Sequence, residues 1–144
     1  MQSGRRDGDA GNAALELVIL APIVLLLISF VVAAGRISVA QGAVQAAARD
    51  AARQASISRT PAAAQAAGQL SAEAELGQEG LDCAPAAAVS VDVAGFDTPV
   101  GQPATVTATV TCTVPLSDLL LPGTPGSKHL TAAFTSPLDP FRGR

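Results

Sequence analysis

Aromatic residues make up 3% of this chain, four Phe with no Tyr and no Trp. A core built on large aromatic side chains is therefore excluded. Charged residues account for 15%, against the ~25% of an ordinary soluble domain. The net charge of −3 excludes a strongly basic nucleic-acid binder, and no aromatic-basic interleaving is present. There is a single histidine, His129, so a metal site built from several imidazoles is excluded. A GxSxG nucleophile elbow is absent, and GTPGSK at 123–128 lacks the phosphate-loop spacing. No catalytic residue, metal or cofactor is assigned. What the chain does hold is hydrophobic residues at 49% and a mean hydropathy of +0.37. Such hydrophobicity argues against intrinsic disorder over the whole chain.

The hydrophobicity is concentrated in one run. Residues 17–34, LVILAPIVLLLISFVVAA, contain no charge. As a helix they span roughly 27 Å, close to the ~30 Å hydrocarbon core of a bilayer. A signal peptide with Arg5 and Arg6 before it and Val32-Ala33-Ala34 at its end is one reading. The run exceeds the usual apolar length of a signal peptide, and it opens beside Glu16, a carboxylate that a signal peptide does not need. Arg36, Arg49 and Arg53 follow the run, so the positive-inside rule does not by itself favour a cytoplasmic N-terminus.

Beyond the run, Ile37, Ala40, Val44, Ala47 or Ala48, Ala51 and Ala55 recur at helical spacing. This alanine stripe suits close packing, either within the chain's own domain or against another subunit. Thr60-Pro61 supplies a cap and a first helical residue for a second alanine-rich helix ending near Gly77 or Gly80. The period then switches to two. Val89, Val91 and Val93 alternate with polar residues. In ATVTATVTCTV at 104–114, Ala, Val and Cys share one face and five threonines the other. A third strand is expected at 130–135, with loops at Pro115 and 122–126.

The expected fold is α+β: a long N-terminal transmembrane helix, a second alanine-rich helix and a small antiparallel sheet at the C-terminus. The divisions are a structureless polar leader at 1–11, a helix at 12–58 with its transmembrane part at 17–34, a helix at 59–80, an exported β domain at 81–136 and a loose tail at 137–144. Cys83 and Cys112 do not fit a CxxC redox or zinc site. Paired, they would staple the sheet with about 3 kcal/mol and imply an oxidising compartment. The alternative is two buried thiols.

The sharpest constellation is Gly11-Asn12-Ala13-Ala14-Leu15-Glu16-Leu17, directly before the apolar run. Glycine before small residues makes a permissive peptide bond, suited to proteolysis. A carboxylate at bilayer depth is costly and asks for a partner. If the chain is cut after Gly11, the new amine of Asn12 is one. The alternative is a Glu at the interface, favoured by the helix N-terminal dipole.

Gly11 with Glu16 five residues later, Ala21-Pro22 in the Leu-rich run, Gly35-Arg36 and AAARDAAR at 46–53 together resemble the TadE-like pseudopilins of tight-adherence (Tad, or Flp-type) pilus systems. The resemblance is best over 8–55. Leu17 stands where related motifs often carry an aromatic. The resemblance implies a type IV pilin-like layout and cleavage by a prepilin peptidase between Gly11 and Asn12. It implies single-pass residence in the cell membrane, N-terminus cytoplasmic, with the C-terminal domain outside the cytoplasm or in a pilus. The implied partners are the lipid bilayer, the major Flp-type pilin, sibling pseudopilins and the inner-membrane pilus platform. It implies no chemistry by the chain and no nucleic acid. Pro22 is expected to kink the helix. The competing expectation is a small secreted or anchored binding module whose N-terminal segment is an ordinary signal peptide or anchor.

Overall fold

The computed structural model describes residues 7–119 and 125–141, without the side chains of 7–14, 118 and 119. The loop expected at 122–126 therefore lies mostly outside the described residues, as do Arg5 and Arg6. The elements run α1 (Asp7–Ser56), α2 (Pro61–Gln78), β1 (Ala88–Asp92), a 3-10 turn (Ala94–Asp97), β2 (Ala104–Pro115), a short α3 (Leu116–Leu119) and β3 (Ser127–Leu138). This is the α+β layout expected: a long apolar N-terminal helix, a second helix and a three-stranded antiparallel sheet in the order β1-β2-β3. The chain forms two compact units, Met1–Gly35 and Arg36–Arg144. α1 starts at Asp7, inside the segment expected as a structureless leader. Extending an existing helix fixes one residue per hydrogen bond gained, which is far easier than nucleating a new one.

In the second unit the alanine stripe is intramolecular. Ala40, Ala43, Val44, Ala47, Ala48, Ala51, Ala52 and Ala55 are all buried. Most of them join Ala72, Leu76, Ala108, Val110, Cys112, Val114 and Leu130 in one core. α2 presents Ala64, Gly68, Ala72 and Leu76, one buried residue per turn. At Gly68 a Cβ would lie 2.8 Å from Val91 Cγ2 and 3.3 Å from the Ala51 carbonyl oxygen. Side chains of one carbon or none are what let α2 approach α1 and β1 this closely.

Caps close the helices where the sequence indicates. The Thr60 hydroxyl accepts from the Ala63 amide at 3.2 Å, and Pro61 opens α2. Gly80, at φ +66, ends α2, and the Leu81 amide returns to the Leu76 carbonyl at 3.0 Å. That is a Schellman closure, in which glycine tolerates the left-handed residue. α1 stops at Ser56, two residues short of the expected end. The Ser56 and Ser58 hydroxyls there donate to the Arg53 and Gln54 carbonyls, competing with continued helix.

β2 is the central strand. Val106, Ala108, Val110, Cys112 and Val114 are buried, and the intervening threonines face away from the core. Thr107 meets Thr135 and Thr111 meets Thr131 through hydroxyl contacts of 2.9 and 3.1 Å, and Thr113 meets His129 Nδ1 at 2.8 Å. β1 stops before Val93 because the Asp92 carboxylate accepts from the Ala94 amide at 3.0 Å and starts a turn. β3 runs to Leu138, into the segment expected as a loose tail. Leu138 pairs with Ala104 and is buried with Ala55, Ala64, Phe96 and Val106. Cys83 is bonded to Cys112 with Cα atoms 5.2 Å apart, which ties the segment before β1 to the central strand.

Candidate functional site

The residues that carry the functional expectation lie on α1 in the first unit. Gly11 and Asn12 fall within the helical span. Cleavage of that peptide bond therefore requires the helix to open locally. Gly11 is the weak point, because glycine costs a helix about 1 kcal/mol relative to alanine.

Glu16 is exposed, and among the described residues no group pairs with its carboxylate. Leu17 is 70% exposed. From Leu15 to Val32 the large apolar side chains lie in the open: Leu15, Val18, Ile19, Leu20, Ile23, Leu25, Leu26, Phe30 and Val31 among them. In water this surface would cost about 25 cal/mol per Å². Lipid removes that cost. The most apolar stretch has a mean hydropathy of 3.1 and is wholly unburied, which distinguishes it from the core helix of a soluble domain. An N-terminal helix of this kind fits a single-pass, membrane-anchored protein.

Pro22 sits inside α1. It has no amide hydrogen to give the Val18 carbonyl, so that acceptor is left over in the apolar segment. The Ser29 hydroxyl donates to the Leu25 carbonyl at 2.8 Å and so satisfies itself within the helix.

No second site of comparable definition emerges. Among the described residues there is no group of three His, Cys, Asp or Glu side chains placed to hold a metal ion. His129 is exposed on the threonine face of the sheet. Sequence reasoning did not find the open groove lined by Ile57, Arg59, Pro61, Phe96, Pro140 and Phe141. It gathers residues from three separate segments and so has no local signal. It also did not find the Arg49 guanidinium over the Phe134 ring, 5.4 Å from the centroid.

Residues 11–53 match the model of the TadE family, TadE-like protein. The match begins at Gly11, spans the exposed apolar segment and ends within the buried alanine stripe. No curated protein and no solved structure matches the chain.

Proposed function

We propose that this chain, TadE-like over residues 11–53, is a membrane-anchored pseudopilin that takes part in assembling a Tad/Flp-type adhesive pilus or a related secretion apparatus. A prepilin peptidase cuts between Gly11 and Asn12. The apolar part of α1 remains in the bilayer, and residues 36–144 act outside the cytoplasm. The observation that carries the proposal is the position of the family match on an exposed apolar helix, with Glu16 at its polar end. The Cys83–Cys112 bond supports export of the second unit, since disulfides persist in oxidising compartments. We weigh it above the arginines that flank the span, two before and three after, which by count speak against a cytoplasmic N-terminus.

In this proposal Glu16 acts as the ionic end of a helix that is otherwise apolar. After cleavage the Asn12 amine lies about one turn away, or meets the Glu16 of a neighbouring subunit. In low dielectric an unpaired carboxylate is costly, so pairing fixes the axial register of packed helices. Sibling pseudopilins, the major Flp-type pilin and the membrane platform are the partners that this register would serve. Pro22, with its missing amide, bends the helix where neighbours satisfy the Val18 carbonyl.

Mass spectrometry of the mature N-terminus tests the proposal. Asn12 as the first residue supports it. An intact Met1, or a chain starting at Gly35, refutes it in favour of a plain anchor or a secreted module. Glu16→Ala is expected to impair processing or partner association, and a variant normal in both removes Glu16 from the mechanism.

A further inference from the structure

β3 is a twelve-residue strand at an edge of the sheet. The direction of its backbone groups follows from independent observations. The Thr131 carbonyl accepts from Gln41 Nε2 at 3.4 Å, so it points away from β2. Thr113, opposite His129, turns its carbonyl to the Ala84 amide on the β1 side at 2.9 Å, so His129 also faces away from β2. Alternate residues of an antiparallel strand point the same way. His129, Thr131, Ala133 and Thr135 therefore direct their amides and carbonyls to the open edge. Pro137, next in that series, has no amide hydrogen and is tolerated there. Among the described residues only Gln41 reaches any of the four, and only one carbonyl.

Edges of this kind are ordinarily blunted by charge, bulges or brevity. The β2–β3 register runs unbroken from Ala104–Leu138 to Pro115–Ser127, so no bulge turns the edge away. The stretch 129–136 carries no Lys, Arg, Asp or Glu, and Lys128 is the one formal charge in the strand. The four outward residues are also symmetric about Ala132. A second β3 laid antiparallel, with Ala132 opposite Ala132, sets His129 against Thr135 and Thr131 against Ala133. The outward set then maps onto itself, and every outward amide meets an outward carbonyl. Centring on Ala133 instead sets His129 against Pro137, which returns no amide. Centring on Thr131 sets Lys128 against Phe134.

We propose that the β3 edge pairs with β3 of a second copy of this chain, as a two-fold antiparallel pair centred on Ala132 that joins the two sheets edge to edge. The choice of a second copy rests on the side chains that this register brings together. At a two-fold axis a residue faces itself, so bulk or charge there is self-opposed; Ala132 carries neither. Lys128 meets Ser136 and not another Lys. Phe134, 39% exposed, meets Leu130, so an apolar side chain covers an apolar one. On the other side of the sheet, Thr131 meets Ala133 and His129 meets Thr135. The main-chain ladder supplies affinity and these pairs supply the register. The long contact from Gln41 leaves the second lone pair of the Thr131 carbonyl for the Ala133 amide of the other copy. The pairing concerns residues 36–144 alone and does not draw on the membrane-anchored reading.

The test uses the full chain in detergent. As its concentration rises, site-resolved hydrogen exchange is expected to slow by at least about tenfold at His129, Thr131, Ala133 and Thr135, and to stay unchanged at Leu130, Ala132 and Phe134, whose amides face β2. Ala133→Pro removes an outward donor but no bond to β2. It should retain the unfolding temperature and lose the concentration dependence. Ala132→Cys puts two thiols at a closer, non-hydrogen-bonded pair and should give a disulfide-linked dimer under mild oxidation. Ala133→Cys sets its thiols diagonally and should not. A capped peptide of sequence SKHLTAAFTSPL, the chain's own β3, should protect the same four amides when the chain is too dilute to pair. The same peptide with Pro at the position of Ala133 should fail, which keeps the test valid if a protein variant does not fold. Exchange at the four amides that ignores both chain concentration and the peptide overturns the proposal. So does protection that survives Ala133→Pro, or linkage through Ala133→Cys in place of Ala132→Cys. Protection that appears only when a different pilus subunit is added overturns the choice of a second copy. None of these outcomes depends on where the N-terminus is cut.

Discussion

Reduction of the Cys83–Cys112 bond perturbs the second unit without changing a residue. The bond closes a loop with a sequence separation of 29. In the chain-entropy model the unfolded state regains about 12 cal/mol/K when such a loop opens, or roughly 3.6 kcal/mol at 25 °C. Against the ~5–15 kcal/mol stability of a typical domain this is a large share. At a slope of ~1.5 kcal/mol/M the urea midpoint falls by roughly 2.4 M. The loss is concentrated at one place. Cys112 is fully buried on the central strand, and Leu81, Cys83 and Ala87 pack on the same core, so that segment is the first to lift when the bond is broken. The assay is urea unfolding of the full chain in detergent, oxidised and reduced, followed by a sheet-sensitive signal. A Cys83→Ser, Cys112→Ser double variant should match the reduced protein and no longer respond to reductant. A midpoint shift below about 0.7 M, equivalent to ~1 kcal/mol, would refute the loop-entropy reasoning. Equal sensitivity of the double variant to reductant would refute the assignment to this bond.

Three further outcomes are expected. Gly95→Ala places a Cβ 2.1 Å from the Thr105 carbonyl oxygen. The 3-10 turn must then lift Phe96 from its pocket, lowering stability by about 3 kcal/mol in denaturant unfolding. Thr60→Ala removes the hydroxyl that caps α2 and should cost about 1 kcal/mol, with Thr60→Ser close to neutral. Pro22→Ala restores an amide for the Val18 carbonyl, so the apolar helix should gain slow-exchanging amides while pilus assembly declines. Normal piliation in that variant would count against the proposed role of Pro22 in assembly.

Much of the architecture was legible along the chain. Strict alternation over 104–114 put alternate residues on opposite faces, and the structure buries the Ala, Val and Cys side. Thr60-Pro61 marked the start of α2 because capping is local chemistry. The apolar run was equally direct, since length and hydropathy alone decide whether a helix suits a bilayer. Other features depended on contacts distant in sequence. Pro137 and Leu138 read as tail by composition, yet pairing with Thr105 and Ala104 holds them in β3.

Sequence by itself determined the division of this protein into an apolar anchor, an alanine-faced helix and a valine-threonine sheet, because periodicity and hydropathy are properties of neighbouring residues. Tertiary structure alone decided what the alanine stripe meets. The stripe suited a partner subunit as well as its own sheet, and only the Gly68 crossing and the core around Val110 made it internal. The same holds for β3, whose open edge exists because β2 lies on one side of it and no described strand on the other. An edge is defined by what is not paired across space, and no local pattern encodes it.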